Sequence, residues 1–303
     1  MKQSKKKNNS IGKWILTALL LLAVYIYNNH TKTDIRFGDD TADTASSAVV
    51  HFIDVGQADA ACIVLPGGET MLIDAGCNAS EDQLLAYLSK YRITHIDYAI
   101  FTHPHEDHIG GADAVLGACE IDHVLLPDAA AATSTYEIML DCIATEGCSV
   151  RYAVPRDTYT LGDASFTILA PITVDEKDLN NASIMLSFRY GDTTFLFTGD
   201  AESSSESAVL AEYAAALDAD VLKVGHHGSS TSSSDAFLAA VSPDAAVISC
   251  GTDNDYGHPH TETLESLGNY TEHIFRTDRL GSVRIYTDGH ELVVQSDRED
   301  PHS

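Results

Sequence analysis

The ten residues from Thr102 to Gly111, T-H-P-H-E-D-H-I-G-G, constrain this chain more than any other stretch. They place His103, His105, Asp107 and His108 within six positions. The apolar run Ile96–Phe101 ahead of them reads as a buried strand, and Gly110-Gly111-Ala112 behind them opens a helix. The four polar side chains therefore crowd onto a strand-to-helix turn. On extended backbone the two imidazoles of a His-x-His pair leave on the same side, because side chains alternate with period two. Asp107 and His108, where the chain turns, aim at a neighbouring point. Imidazole and carboxylate are the usual ligands of a catalytic zinc, which keeps one position open to water. A lone histidine here would be a solvated loop residue; three with an aspartate, followed by Gly-Gly, argue for a metal centre.

H-x-H-x-D-H on such a turn resembles the metallo-β-lactamase superfamily. Five further segments narrow the resemblance: F-I-D-V-G-Q-A-D-A from Phe52, L-I-D-A-G from Leu72, F-T-G-D from Phe197, V-L-K-V-G-H-H-G-S from Val221 and G-H-P-H from Gly257. In that order they are similar to the hydrolase domain of ComEC-type competence proteins, over Ala48 to Tyr286. The resemblance implies an α/β fold, the four-layer αβ/βα sandwich, with a hydrolase domain over residues 48–297.

The local patterns agree with mixed strands and helices. Strands are expected at 49–53, 62–65 and 71–74, the last two joined by a hairpin at Pro66-Gly67-Gly68. Others are expected at 124–126, around Tyr159 and Phe166, at 184–190 and 194–198 across a Gly191-Asp192 turn, at 221–224, at 245–249 and through most of 274–294. Helices are expected at 81–91, 111–116, 136–144, 205–217 and 235–241. Taken alone, these elements give an α/β or α+β protein with no internal repeat.

The rest of the centre must come from distant loops. Asp200 ends the buried run Phe195–Gly199, where a carboxylate can bridge two metals or cap the next helix. The resemblance implies the bridging role, with His258 as the last ligand of a second metal formed with Asp107 and His108. It also implies that Lys223, His226 and His227 neutralise charge developing on a phosphoryl group. Asn181 and Ser183 would hydrogen-bond a non-bridging oxygen, and Ser229 would donate to phosphate. Asp107 combines ligation with orienting the metal-activated water. One departure stands out: the superfamily's third histidine on the first metal is missing. Only His123 lies between His108 and Asp200, too early and inside an apolar run. The first metal is left with His103, His105 and Asp200. Ligands of mixed nitrogen and oxygen suit one or two Zn²⁺ ions, and Mn²⁺ equally.

The amino terminus differs in kind. A basic head, Lys2 to Lys13, precedes the uncharged apolar run Trp14–Tyr27, shorter than the ~20 residues that span a bilayer comfortably. No small-x-small cleavage pattern follows. Residues 1–28 are therefore expected to be an uncleaved signal anchor, lysines in the cytoplasm and the catalytic body outside, with a secreted protein as the alternative. Residues 29–47 read as a tether. Among six cysteines, Cys142 and Cys148 are the nearest that could pair, while Cys62 and Cys250 sit in apolar runs as buried thiols.

Charge bears on the substrate. The whole chain carries −27, and setting aside the seven cations and Asp34 that precede residue 37 leaves −33. Non-specific nucleic-acid binding rests on Lys and Arg, and residues 37–303 hold no basic cluster. The expected activity is that of a surface-anchored or secreted phosphodiesterase or nuclease. Its substrate is a phosphoester, in single-stranded DNA or a cell-envelope polymer, with no protein partner evident. The alternatives are a lactonase or β-lactamase, and a non-catalytic metal-binding module.

Overall fold

Apolar side chains alternate along the strands and so divide each strand between two cores. In Thr70–Ile73, Met71 and Ile73 enter one core and Leu72 the other. In Thr193–Phe197, Phe195 and Phe197 enter that same first core, while Leu196 joins a third. The computed structural model describes residues 35–37, 46–175 and 177–299.

In chain order the strands are β1 Ile35–Phe37, β2 Ala48–Phe52, β3 Ala61–Val64, β4 Thr70–Ile73, β5 His95–Ile100, β6 Glu120–Leu126, β7 Ser149–Tyr152, β8 Thr158–Leu161, β9 Ala164–Ala170, β10 Met185–Tyr190, β11 Thr193–Phe197, β12 Val221–Lys223, β13 Ala245–Ile248, β14 His273–Arg276, β15 Val283–Thr287 and β16 Leu292–Ser296. The helices are α1 Glu81–Lys90, α2 Glu106–Ile109, α3 Ala112–Ala118, α4 Ser134–Glu146, α5 Ser203–Tyr213, α6 Asp235–Val241, α7 Thr261–Leu267 and α8 Thr277–Leu280. Among the described residues one sheet runs β1-β16-β15-β2-β3-β4-β5-β6-β7 and the other β14-β13-β12-β11-β10-β9-β8.

The two sheets face each other across the first core, which holds Phe52, Ile63 and Val283 from one and Phe166, Phe188 and Phe197 from the other. On the outer face of the first sheet, α1, α3 and α4 bury Leu84, Leu88, Val115 and Ile143 against Cys62, Leu72 and Val124. On the outer face of the second, α5, α6 and α7 bury Val209, Phe237, Leu238 and Leu267 against Leu196, Leu222 and Ile248. Helix, sheet, sheet, helix is the four-layer mixed α/β sandwich expected from the sequence.

Several details differ from the sequence reading. Ile35–Phe37, inside the expected tether, pairs in parallel with β16. β7 and α7 were not anticipated: β7 is an exposed four-residue edge, and α7 is only seven residues long. α8 interrupts the expected C-terminal run of strand. All six cysteines are free, Cys142 and Cys148 included. Cys62 and Cys250 are buried, and burial pushes both thiols up to about 12. The expected signal anchor lies outside the described residues, as does most of the tether; among the described residues no helix is long and apolar enough to cross a membrane.

β4, β5 and β6 are parallel, as are β11, β12 and β13. The loops leaving the carboxyl ends of these two parallel sets carry the motifs, in the place where open α/β sheets hold ligands.

Candidate metal centre

His103 and His105 follow β5, and Asp107 and His108 lie on α2. The loop is strapped to its neighbours by backbone bonds: Asp59 N–H donates to the Asp107 carbonyl (3.0 Å), Ala75 N–H to that of His108 (2.7 Å), and Gly110 N–H to that of Gly76 (2.8 Å). A Cβ on Gly110 would lie 2.2 Å from the Asn78 nitrogen, which accounts for glycine at this close approach.

Asp107, His108, Asp200 and His227 each offer a ligand atom within 4.8 Å of all the others. Asp200 follows β11 through Gly199, whose φ is +52° and whose Cβ would stand 3.0 Å from Ser183 and Thr102. His227 follows β12, and both it and His226 hold left-handed backbone (φ 53° and 49°), an uncommon conformation for histidine that recurs at functional sites.

Each histidine of this group has one nitrogen fixed from behind. His108 Nδ1 donates to Asp74 Oδ2 at 2.7 Å, and Asp74 also accepts from the Thr102 N–H and hydroxyl at 2.7 Å each. His227 Nδ1 donates to the Ser249 carbonyl at 3.0 Å, with Asp59 Oδ1 at 3.2 Å. A carbonyl can only accept, so both rings present Nε2 to the group. His227 Nε2 lies 3.2 Å from Asp107 Oδ2, and His108 Nε2 lies 3.2 Å from Asp200 Oδ1. The last two atoms are buried without a hydrogen-bond partner. Two imidazoles oriented by carboxylates or carbonyls, two converging carboxylates and two orphaned polar atoms fit a divalent cation.

The electrostatics agree. Burial would raise the carboxyl pKa of Asp200, but His108 and His227 hold it well below the usual range. The same opposition leaves Asp107 at about 2. Burial would lower His108 and His227, yet Asp200 outweighs it and raises both, His227 to about 10. A divalent ion bound here would replace protons on these rings. A second group, Asp59, Asp74 and His108, is also compact. It does not fit a metal: Asp74 is taken by Thr102 and His108, and Asp59 accepts from Lys223 Nζ at 2.7 Å.

The first-metal residues are less closely gathered. His103 Nε2 and His105 Nδ1 face each other at 3.0 Å, and His103 Nε2 is 3.9 Å from Asp200 Oδ2. Two ligands of one tetrahedral ion stand about 3.3 Å apart for metal–nitrogen bonds of about 2.0 Å, so the pair suits a shared ion. Burial, followed by neighbouring His108, keeps His103 well below the ordinary histidine range and therefore neutral, as a ligand must be.

Several residues stand elsewhere than the sequence reading put them. His258 is outside the group of four; its ring centroid is 6.3 Å from that of His227, which occupies the place expected of it. Burial and the cationic His227 lower His258 to about 4. Lys223 is buried, with its Nζ on Asp59 Oδ2 and the Val224 carbonyl. Asn181 Oδ1 accepts from the Glu202 and Ser205 N–H groups, and its Nδ2 donates to Asp178, so it caps α5. Ser183 Oγ accepts from Asp200 N–H (3.0 Å) and bonds His103 Nδ1 (3.2 Å), joining two site loops from within. Ser229 Oγ bonds Thr231 and shapes its own loop. His226, like Asn181, is partly open: its Nδ1 lies 3.2 Å from Glu202 Oε1 and its Nε2 3.8 Å from Asp200 Oδ2. Asp59 and Asp74 were present in two quoted motifs without a role; a strand-end aspartate beside glycine or alanine was the available signal.

The metallo-beta-lactamase superfamily model matches residues 53–252. The chain is 30% identical over 257 residues to ComE operon protein 3 of Bacillus subtilis, covering 79% of this chain and 33% of that protein. It is 32% identical over 254 residues to Recombination protein 2 of Haemophilus influenzae, covering 82% of this chain and 30% of that protein. The chain thus spans about a third of the length of these curated relatives. Among solved structures, the metallo-beta-lactamase fold protein YhfI of Bacillus subtilis superposes with a TM-score of 0.51 at 14% identity, over 76% of this chain and 95% of that one. The matched span, the ComEC-type relatives and the shared fold together place this chain in the metallo-β-lactamase superfamily.

Proposed function

We propose that the chain is a metal-dependent phosphodiesterase using zinc, or manganese, held first by Asp107, His108, Asp200 and His227, with His103 and His105 offering a second position. The observation that carries this reading is the pair of buried, unpartnered atoms, His108 Nε2 and Asp200 Oδ1, facing each other at 3.2 Å. The ion would lower the pKa of water toward neutrality and polarise a phosphoryl oxygen. The protein's own residues do the rest. Asp74 and the Ser249 carbonyl fix the two rings so that Nε2 points inward. Asp107, the one member of the group that is not fully buried, reaches the mouth and can orient a water. His226 stands at the mouth with its Nδ1 against Glu202, leaving Nε2 to meet a phosphoryl oxygen. Asp200, with Oδ1 toward His108 and Oδ2 toward His103, would serve both positions.

Phosphodiester is favoured over lactone or β-lactam because relatives carry names of recombination and competence, which point toward nucleic acid. The proposed setting is the cell membrane, with residues 1–28 as the anchor and the catalytic body outside the cell. The test uses the full chain. Its metal content is measured by mass spectrometry, and turnover of bis(p-nitrophenyl) phosphate and of nitrocefin is followed with added Zn²⁺ or Mn²⁺. Metal-restored phosphodiester turnover, lost in Asp200→Ala, supports the reading. Nitrocefin hydrolysis without phosphodiester turnover, or no bound metal at all, overturns it.

A further inference from the structure

The loop after β13 carries an arrangement that the chemistry above leaves unused. Tyr256 is 70% exposed, an unusual state for a large aromatic ring beside a reaction centre. Its ring stacks on His258, with centroids 5.6 Å apart and planes at 23°. His258 stacks in turn on His227, at 6.3 Å and 25°. Three rings, adjacent planes 23° and 25° apart, therefore lead from the buried His227 to the exposed Tyr256. The loop that presents them is held in place. Asn254 Nδ2 donates to the carbonyls of Gly251 (2.9 Å) and His258 (2.6 Å), and its Oδ1 accepts from the His258 N–H (3.0 Å). His260 accepts from the Ser230 N–H at 2.9 Å and sets its ring edge-on to His258, at 4.8 Å and 81°.

Charge points the same way. Lys223 is spent on Asp59, and the body is strongly acidic, so attraction to phosphate is weak here. A ring face attracts a base irrespective of net charge, because every base has a π-face. We propose that Tyr256 is a specificity-determining residue whose open face stacks on a base of the substrate strand. This rests on the phosphodiesterase reading above and makes the substrate a nucleobase-bearing diester rather than a sugar- or glycerol-phosphate polymer.

The experiment uses the full chain as wild type, Tyr256→Ala and Tyr256→Phe. The probes are a fluorescein-labelled thymidine decamer and a decamer of the same length whose residues are abasic. kcat/KM is measured on both, and binding of their hydrolysis-resistant phosphorothioate forms to the metal-loaded protein is read by fluorescence polarisation. Tyr256→Ala should lower kcat/KM on the thymidine strand about 5- to 100-fold, mainly through KM, and weaken its binding similarly. The abasic strand should be unaffected and Tyr256→Phe should resemble wild type. Equal losses on both strands, or a wild type that does not distinguish them, overturn the inference; the latter result favours an envelope polymer. A thymidine strand bound through Tyr256 but never cut would leave the stacking standing and remove the hydrolytic reading. Cleavage of bis(p-nitrophenyl) phosphate with no binding of either strand would do the reverse.

Discussion

Asp74 Oδ2 and His108 Nδ1 are 2.7 Å apart and fully buried, and this one bond decides which nitrogen of His108 faces the metal group. Asp74 holds φ of 59° to make it while also accepting two bonds from Thr102. Outer carboxylates of this kind typically govern metal affinity by about 10- to 100-fold. Asp74→Asn should therefore weaken metal binding by that factor while circular dichroism stays native. Unchanged affinity in a metal titration would mean that His108 is not a ligand.

His227 and His258 compete for one role. His227 Nε2 is 3.2 Å from Asp107 and 3.7 Å from Asp200, whereas His258 stands a ring further out. His227→Ala should lose about one equivalent of metal by mass spectrometry, and His258→Ala should keep its metal. The opposite pattern would restore the order suggested by the sequence.

Lys223 and Asp59 form a buried ion pair at 2.7 Å. Removing one partner leaves an uncompensated buried charge, which costs about 3–5 kcal/mol. Lys223→Met should show that loss in urea unfolding. If instead it unfolds like wild type and only turnover falls, Lys223 belongs to the substrate after all.

Asn181 accepts two N–H groups at the start of α5. Asn181→Ala should cost about 0.5–2 kcal/mol of stability, the range for a lost helix cap, and leave KM near wild type. A raised KM at unchanged stability would return Asn181 to phosphate binding.

His51, on β2, meets Tyr87 of α1, with Nδ1 3.0 Å from the Tyr87 hydroxyl. Burial, then Arg284 and Lys90, lower it to about 3 from 6.5. The folded state thus holds His51 neutral where the unfolded chain would protonate it. Its contribution is fully present above pH 6.5 and is lost as pH falls toward 3. The thermal midpoint should therefore drop between pH 7 and pH 5 more steeply in wild type than in His51→Phe; parallel curves would exclude His51 as the cause.

The sandwich was legible because strand alternation and the strand-to-helix turn at Thr102–Gly111 are local signals. Where the structure gathers other residues than those the sequence singles out, the signal was not local. His227 and His258 both follow parallel strands in loops rich in glycine and histidine, and only the fold tells which ring reaches Asp107. Ser183 and Lys223 are polar residues near site motifs, yet Ser183 binds Asp200, 17 positions away, and Lys223 binds Asp59, 164 positions away. β7 was missed because it is short, exposed on both faces and lacks alternation. β1 was missed because three residues give no period to read.

Asp107 and His227 lie 120 positions apart, on loops rooted in opposite sheets. An ion gripping both would be a removable crosslink closing a very long loop of chain. A covalent bridge closing about 100 residues is worth about 4–5 kcal/mol in the chain-entropy account. Chelation would then do more than disarm the centre: it would loosen the loops of one sheet from those of the other, while the shared core held the two sheets together. Inactivation by a chelator and susceptibility to proteolysis would rise together, and a variant that keeps its ion would keep its rigidity even when it no longer turns over substrate.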